Sequence, residues 1–477
     1  MVNYILMNVQ YKSPNLLNFS YLIIAFFILV RSFNFSYHIL RHGIGVEPDS
    51  GTYLSSHHYF DIDFIFNTNR GIGITVPYNL IYNPIIIVIA QFTLVTILIS
   101  LLILKVYKLT KSNISLLFSI PIFFIFTAPQ SSVWDTYLLS HSLTLIYNLI
   151  IILTLLNLFN QSSRRAIILN IVLLNIALVG TATTRPNNQI FALVILIYLL
   201  ILILFFPFLK SFNTFKNKIL VSILFIFSVT TIIVSNSIIN KNWSPPMPIP
   251  AVSYLIVDIN PISYNVIQAM KLDTEIPTCA YPKTPLKVDE GQTLWMKNLI
   301  TQCPDGVEWY KHKYDRWLAL FYITHPKSIL YQIEYGLIQS LTLPNAYDSG
   351  FITLQPVTLY QIFFSAPDTA QRGSVYFNLI GFILMSYLAY GYYFYLIVRF
   401  KKRNFDDSLR YNLIIFGGQS SMILSFVIGM LYHSTTDNFR VFIDNQVTIL
   451  TFISLSLTFV IYEMFSKIKE NSKSILD

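Results

Sequence analysis

Two carboxylates separated by one proline are the residues of this sequence most suited to acid–base chemistry. Glu47 and Asp49 flank Pro48 in the segment GVEPDSGTYL, directly after the first long apolar run of the chain. Because proline interrupts a regular helix, both carboxylates can project from one bent segment. Partial desolvation at the end of such a run suits a carboxylate to general-base chemistry. The structural alternative is that Asp49 caps the next helix, since an Asp-Ser pair before an apolar stretch is a common N-cap.

Further polar residues follow in the same part of the chain and are candidates for substrate binding. Tyr53, His57 and His58 come next, ahead of Asp61 and Asp63. Adjacent histidines on a helix point about 100° apart, and no cysteine accompanies them. Interfacial packing is therefore the better interpretation of the histidines. The sequence indicates no metal site, and dependence on a divalent metal stays open.

Two arginines carry the charge that a phosphate ligand requires. Arg185 lies in TTRPNNQ between two apolar runs, and Arg440 lies in HSTTDNFRVFIDNQ just before the last run. An arginine at such a depth is costly unless it is paired or faces water, and it can bind a phosphate bidentately. The alternative is that each arginine snorkels to the interface, with Asp437 or Asp444 as an ion-pair partner of Arg440. His433 opens the same segment and is a further candidate for substrate binding.

Asp135 is the remaining acidic candidate, and it follows Trp134 at the start of an apolar run. It is a candidate for substrate binding. Its structural alternative is strong, because an acidic residue at that position complements the dipole of the following helix.

Apolar runs of membrane-spanning length separate these residues. Hydrophobic residues make up 54% of the 477 residues and charged residues only 12%, whereas a soluble protein averages about 25% charged. Runs of about 18 apolar residues indicate transmembrane helices. They lie at 18–38, 85–104, 114–129, 139–159, 166–183, 189–208, 219–239, 375–398, 411–432 and 446–465. The sequence therefore predicts an all-α polytopic membrane protein with about ten transmembrane helices.

The charges between these runs predict the orientation of the chain. Lysine and arginine concentrate in every second loop and at the C-terminal end, whereas acidic residues concentrate in the alternate loops. By the positive-inside rule, both termini are cytoplasmic and the acidic loops face outward from a plasma membrane, which we expect to be a bacterial inner membrane. No basic helix or aromatic-basic motif accompanies the net charge of +9, so no nucleic-acid partner is predicted.

The predicted spans divide the chain into two membrane modules around one large loop. Residues 1–239 form the first module, with a helical first outer loop at 39–84, and residues 375–477 form the second. The loop at 240–374 lies between the seventh and eighth helices on the extracytoplasmic side. Most of the polar chemistry is therefore expected on that side of the membrane.

Both cysteines of the chain, Cys279 and Cys303, lie in this large loop. Because the outer side is an oxidising compartment, the sequence predicts a disulfide between them, which contributes about 3 kcal/mol in the chain-entropy model. Two free thiols are the alternative. The spacing excludes a CxxC redox or zinc site.

Four short segments together resemble the C-type (GT-C) integral membrane glycosyltransferases, which use lipid-phosphate sugar donors. The acidic segment GVEPDSGTYL follows the first helix, and a TRPN segment, Thr184–Asn187, starts a later one. An HP pair lies within the aromatic-rich RWLALFYITHPKSILYQIEYGL, and NFRVFIDNQ precedes the final helix, similar to the RYxxP pattern of many relatives. The resemblance covers most of the chain, although Val441 and Asp444 stand where relatives often have Tyr and Pro.

The resemblance implies an inverting transfer of a sugar from a polyprenyl-phosphate carrier to an acceptor hydroxyl on the extracytoplasmic face. Asp49, or else Glu47, would be the catalytic base that deprotonates the acceptor. Arg185 and Arg440 would bind the donor phosphate. The implied partners are the lipid-linked sugar donor, a glycan, lipid or protein acceptor, and membrane lipids.

Two other functions are compatible with the same sequence. An O-antigen polymerase or ligase is also a polytopic enzyme with a large outer loop, and it would use residues such as His433 and Arg440. A lipid or sugar transporter would need polar residues near the membrane midplane and, often, an internal repeat. No two-fold repeat is visible, and Arg31 is one of few charges within a predicted span. The paired acids after the first helix favour the glycosyltransferase.

Overall fold

The computed structural model of the chain describes a helical bundle and parts of its connections. The described residues are 14–45, 53–54, 71–127, 133–138, 140–158, 164–184, 188–205, 222, 225–234, 277–280, 302–324, 326, 329, 383–395, 407–432 and 438–473. Within these ranges the chain is almost entirely helical and forms no strand, apart from one isolated backbone bridge between Gly45 and Tyr137. The predicted all-α class is therefore confirmed for this part of the chain.

The described helices follow one another along the chain without intervening sheet. They are α1 Pro14–His42, α2 Ile72–Ile81, α3 Pro84–Thr110, α4 Leu116–Thr127, α5 Ser140–Leu158, α6 Arg164–Thr184, α7 Asn188–Phe205, α8 Phe225–Val234, α9 Pro304–His312, α10 Tyr314–Thr324, α11 383–395, α12 Asp407–Tyr432 and α13 Asn438–Lys473. Single 3₁₀ turns at Asn113–Ser115 and Val133–Thr136 precede α4 and α5.

Six of the described helices are long and apolar enough to cross a membrane. The spans are Phe19–Arg41, Pro84–Thr110, Ser140–Asn157, Arg165–Thr184, Tyr411–Ile428 and Asn445–Phe465. The other four predicted spans coincide with α4, α7, α8 and α11, whose apolar stretches are shorter within the residues for which side chains are described. A multi-pass membrane protein is therefore supported, and the count of ten transmembrane helices stays a prediction.

The surface of α1 has the polarity that a helix in a bilayer requires. Its outward face carries large apolar side chains, including Leu29, which is 64% exposed, and Leu40, which is 86% exposed. Its inward face carries Arg31, Asn34 and His38, all of which are buried. A soluble helix has the opposite arrangement, because apolar groups are expelled from water but not from lipid.

The ends of α3 are fixed by local hydrogen bonds. Asn83 caps its first turn, where the side-chain oxygen accepts hydrogen bonds from the amides of Ile85 at 2.9 Å and Ile86 at 3.3 Å. Pro84 occupies the first helical position, where the missing N–H costs nothing. Lys111 ends the helix in the left-handed region, with φ of 46°.

Contacts between α1, α3 and α4 give the directions of the first helices. Phe26 stacks on Phe123 at 5.5 Å, and the Asn34 amide donates to the carbonyl of Thr127 at 3.3 Å, so α1 and α4 run parallel. Phe35 of α1 stacks on Phe92 of α3 at 4.3 Å. With Arg31 contacting Thr96 further along α3, α3 runs antiparallel to both.

The last helices of the chain pack in the same alternating way. Tyr411 of α12 stacks on Phe459 of α13 at 5.8 Å, and the Gly418 backbone contacts the ring of Phe452. These contacts make α12 and α13 antiparallel. α11 packs beside both, with Tyr390 against Phe416 at 4.9 Å.

With these directions, one end of the bundle contains the last residues of α1, α4 and α6. The same end contains the first residues of α3, α5, α7 and α13. We call this the loop end of the bundle. α1 begins and α13 ends at the opposite end, as the predicted topology requires. Which end faces the cytoplasm stays a prediction.

A disulfide joins the two parts of the large loop that the structure describes. Cys279 and Cys303 are bonded, with their Cα atoms 5.6 Å apart. Cys303 immediately precedes α9, and Trp309 of α9 packs edge-on against Trp317 of α10 at 6.0 Å. The described part of the loop is therefore helical over α9 and α10, and α10 contains the start of the aromatic-rich RWLALFYITHPKSILYQIEYGL.

Candidate functional site

Tyr53 and Asp135 are the predicted substrate-binding residues whose side chains the structure describes. Arg440 lies in the first turn of α13, and its side chain is outside the described part. The other predicted residues lie outside the described ranges altogether: Glu47, Asp49, His57, His58, Arg185 and His433. The residues that flank them are described, and these show which helix ends carry the candidate groups.

A buried ion pair joins α1 to the turn before α5. Nη2 of Arg31 donates to Oδ2 of Asp135, and the hydroxyl of Ser142 donates to the other carboxylate oxygen at 3.1 Å. The side chains of Arg31 and Asp135 are 1% and 2% exposed. Asp135 lies in the Val133–Thr136 turn, so its charge is neutralised by an arginine across the bundle. Both of its oxygens are engaged, which fits a positioning role.

The other two nitrogens of the Arg31 guanidinium also donate hydrogen bonds. Nη1 donates to the backbone carbonyl of Phe126 at 2.7 Å, and Nε donates to the hydroxyl of Thr96 at 3.2 Å. The rings of Phe27 and Phe92 lie within 5.7 Å and 5.6 Å of the guanidinium carbon. One cation therefore holds α1, α3, α4 and the turn before α5 together.

The position of Arg31 within α1 makes this pair unusual. Arg31 lies inside the span Phe19–Arg41, roughly 15 Å along the axis from Arg41 at about 1.5 Å per residue. An ionisable residue inside a membrane span is costly and is therefore usually functional. In the sequence, Arg31 is visible as a single charge within an apolar run. Its partner is 104 residues away, so local sequence patterns do not indicate a role for Arg31.

The acidic segment starts from this same turn. The amide of Gly45 donates to the carbonyl of Thr136, and the amide of Leu138 donates to the carbonyl of Gly45, each at 3.0 Å. A side chain at Gly45 would overlap the ring of Tyr137. One turn back on α1, Nδ1 of His38 and the hydroxyl of Thr136 share a hydrogen bond of 2.8 Å. Backbone and side-chain contacts thus join the end of α1 to residues 136–138.

The far side of the acidic segment is held by α2. The carbonyl of Tyr53 accepts a hydrogen bond from the Asn79 amide at 3.0 Å, and the Tyr53 ring packs edge-on against Tyr78 at 5.9 Å. Tyr53 is buried, so it acts here as a packing residue. Glu47 and Asp49 therefore lie on a short connection between two anchored points, Gly45 and Tyr53.

α2 in turn packs on the end of α6 that precedes Arg185. A side chain at Gly73 would overlap the carbonyl of Gly180 and crowd the hydroxyl of Thr184. The Tyr147 hydroxyl of α5 donates to the carbonyl of Gly73 at 2.9 Å. Because Thr184 is the last residue of α6, these contacts bring the anchor of the acidic segment next to the start of TRPN.

A polar network lies at the loop end between α5, α6, α7 and α13. The hydroxyl of Thr181 donates to the Asn148 carbonyl oxygen at 2.8 Å, and the Asn188 amide donates to Thr181 at 3.2 Å. The Asn148 amide donates to the hydroxyl of Thr448 at 3.0 Å. The side-chain oxygens of Asn188 and Asn445 are buried without a partner among the described residues. These oxygens are able to accept hydrogen bonds from hydroxyl groups.

The three predicted charged segments therefore connect to one end of the bundle. Gly45 and Tyr53 flank the acids, Thr184 and Asn188 flank Arg185, and Thr448 lies two turns after Arg440 in α13. Contacts between helices link all of these flanking positions. The sequence neighbours of the predicted base and of the two predicted cations therefore lie at the same end of the bundle.

No cluster of metal ligands accompanies this arrangement in the described part of the chain. No group of three or more His, Cys, Asp or Glu residues there is placed to hold a metal ion.

No known protein family, curated protein or solved structure matches the chain. The resemblance to the C-type glycosyltransferases rests on the four short sequence segments alone. The function must be inferred from the chemistry of these segments and from the helix ends that carry them.

Proposed function

We propose that this protein is a membrane-embedded glycosyltransferase acting at the loop end of the bundle. It would transfer a sugar from a polyprenyl-phosphate carrier to an acceptor hydroxyl with inversion. The observation that supports this proposal is the shared location of the helix ends flanking the acids, TRPN and NFRVFIDNQ. These connections lie far apart in sequence, and only the packing of the bundle joins them.

The reaction needs opposite charges at its two ends. A base must lie within hydrogen-bond reach of the acceptor hydroxyl, and Asp49, with Glu47 as second choice, fills that role. The leaving phosphate gains negative charge as the glycosidic bond breaks, and Arg185 and Arg440 would stabilise it in a site of low dielectric constant. The proton of the acceptor passes to the carboxylate, and the sugar carbon exchanges its phosphate oxygen for the acceptor oxygen.

A donor with a polyprenyl chain also suits the surfaces of the bundle. The long apolar tail remains in lipid while the phosphate and sugar reach the polar end of the helices. Exposed apolar faces such as that of α1 provide the lipid contact.

The deciding experiment is transfer by purified protein from a panel of synthetic polyprenyl-phosphate sugars. Asp49→Asn keeps the size of the side chain and removes its basicity, so turnover should fall roughly 10²–10⁴-fold. Donor binding should be largely retained. Arg185→Ala and Arg440→Ala should weaken donor binding as well as rate, because phosphate contacts exist before and during transfer.

A matched control separates this effect from general loss of fold. Asp305 lies exposed in the first turn of α9, outside the segments proposed to carry the reaction, so Asp305→Asn makes the same chemical change there and should retain full activity. Near-normal turnover in both Asp49→Asn and Glu47→Gln, with the fold intact, would contradict the assignment.

A transporter is the competing function, and the Arg31–Asp135 pair is the observation that favours it. A buried ion pair at mid-span is typical of transport pathways. The same purified protein in sealed vesicles distinguishes the two functions. Movement of an unmodified lipid-linked sugar across the bilayer, without any new glycosidic bond, would show that the protein is a transporter and not a glycosyltransferase.

A further inference from the structure

We propose that Arg31 and Asp135 are positioning residues that hold the acidic segment and, through it, the catalytic base. This inference rests on the proposed function, because it concerns the same site. Both side chains are almost fully buried, and the role proposed for them needs no contact with substrate. Both act through the backbone bridge at Gly45.

The first step is that Arg31 fixes the turn before α5. Its guanidinium donates to Phe126 of α4 at 2.7 Å and to Thr96 of α3 at 3.2 Å. These bonds fix the guanidinium against α3 and α4. The position of Asp135, which pairs with it, is therefore fixed as well. The Ser142 hydroxyl, one turn into α5, binds the second carboxylate oxygen at 3.1 Å.

The second step is that this turn fixes the start of the acidic segment. The residue after Asp135 is Thr136, whose carbonyl accepts from the amide of Gly45 at 3.0 Å. The return bond runs from the amide of Leu138 to the carbonyl of Gly45, also at 3.0 Å. Tyr137 occupies the space beside Gly45. If the turn before α5 moves, Gly45 must therefore move with it.

The third step concerns distance along the chain. Glu47 and Asp49 follow Gly45 by two and four residues. The anchored residue, Gly45, is therefore at most four residues from the proposed base. A misplacement of about 1 Å at a catalytic group costs roughly 100-fold in rate. The arginines proposed to bind the donor phosphate lie elsewhere in the chain, Arg185 between α6 and α7 and Arg440 in the first turn of α13. Loss of the anchor should therefore lower kcat and leave the KM for the donor unchanged.

Two variants test the anchor from opposite sides. Asp135→Asn keeps the shape and removes the charge that Arg31 holds. Gly45→Ala leaves the ion pair intact and forces the backbone away from the ring of Tyr137. Each should lower kcat roughly 100-fold with donor KM within about twofold. The pH profile should keep its shape, because the base itself is unchanged.

Compensating variants separate positioning from loss of structure. Gly45→Ala/Tyr137→Ala makes room for the added methyl group and should regain most of the lost kcat. Asp135→Glu restores the charge and should recover more activity than Asp135→Asn. Gly391→Ala is the glycine control, because a side chain there meets no atom within 4 Å. It should behave as the unaltered protein does.

Amide hydrogen exchange measures the anchor without any transfer assay. The amides of Gly45 and Leu138 should exchange slowly in the unaltered protein and at least about tenfold faster in Asp135→Asn. Unchanged exchange in Asp135→Asn, full kcat in Gly45→Ala, or no rescue by Tyr137→Ala would each overturn the inference. If no polyprenyl-linked sugar is transferred, the proposed function fails, and exchange at these amides still decides whether the ion pair holds the segment.

Discussion

Asn148 in α5 donates a hydrogen bond to the hydroxyl of Thr448 in α13 at 3.0 Å, across 300 positions of sequence. The side-chain oxygen of the same amide accepts a hydrogen bond from Thr181 in α6 at 2.8 Å. Lipid offers no replacement for such hydrogen bonds. One amide thus ties the first half of the bundle to its last helix.

Replacement of Asn148 should therefore destabilise the bundle. Asn148→Ala removes one hydrogen bond from each of two buried hydroxyls, those of Thr181 and Thr448, and we expect a loss of about 1–2 kcal/mol in the free energy of unfolding. Asn170→Ala is the matched control, because the Asn170 amide donates to Ala166 of its own helix at 2.9 Å. Thermal unfolding in detergent checks the difference, and equal losses in both variants would contradict the bridging role.

Breaking the Arg31–Asp135 ion pair should lower the free energy of unfolding by more than Asn148→Ala does, and removing both charges together should reverse most of that loss. Arg31→Met leaves a buried carboxylate without its cation, which should cost about 3–5 kcal/mol. The double variant Arg31→Met/Asp135→Leu removes both charges and should regain most of that loss.

Arg41 provides the control for that pair of variants. Its side chain is exposed and donates to the hydroxyl of Tyr37 at 2.8 Å, so Arg41→Met should change the unfolding free energy by less than about 1 kcal/mol. The unfolding temperatures of the four proteins provide the comparison. A double variant as unstable as Arg31→Met would show that the charges themselves are not the cause.

The disulfide predicts a specific peptide map. Non-reducing digestion should yield one linked peptide containing Cys279 and Cys303, whose Cα atoms lie 5.6 Å apart. Reduction should release two peptides and destabilise the loop by about 3 kcal/mol, because a closed loop limits the unfolded chain. Two freely alkylated thiols in freshly isolated membranes would contradict the link.

The topology can be tested with single introduced cysteines. Lys401→Cys precedes α12 by six residues in the sequence, whereas Arg316→Cys lies exposed in α10 of the large loop. The positive-inside rule predicts that an impermeant thiol reagent labels Arg316→Cys in intact cells. Lys401→Cys should react only after permeabilisation. The opposite pattern would invert the membrane orientation.

The positions of the helices could be predicted because hydropathy is a local property of the chain. Each predicted span coincides with a described helix, and the limits of α3 also follow from Asn83 and Lys111. The number of crossings could not be settled in this way. α4 contains Pro121 and ends at Thr127, so its length alone does not decide whether it spans a bilayer.

The contacts at the site could not be predicted from local patterns. Arg31 stood out as a charge in an apolar run, but nothing near it in sequence indicates Asp135 as its partner. The bridge between Gly45 and Tyr137 depends on where the turn before α5 lies in the bundle. Tyr53 packs edge-on against Tyr78, and its contact with substrate stays a prediction.

The separation of Arg31 from Asp135 also affects how the protein is made. Translation reaches Asp135 104 residues after Arg31, which takes roughly 5–20 s at about 5–20 residues per second. During that interval α1 carries an arginine whose insertion at mid-bilayer costs about 2.5–3.5 kcal/mol. We therefore expect α1 to linger at the insertion machinery and to enter the lipid together with α3 to α5. The buried charge would then delay membrane insertion of α1 until Asp135 has been synthesised, because an incomplete nascent chain lacks the carboxylate that neutralises Arg31.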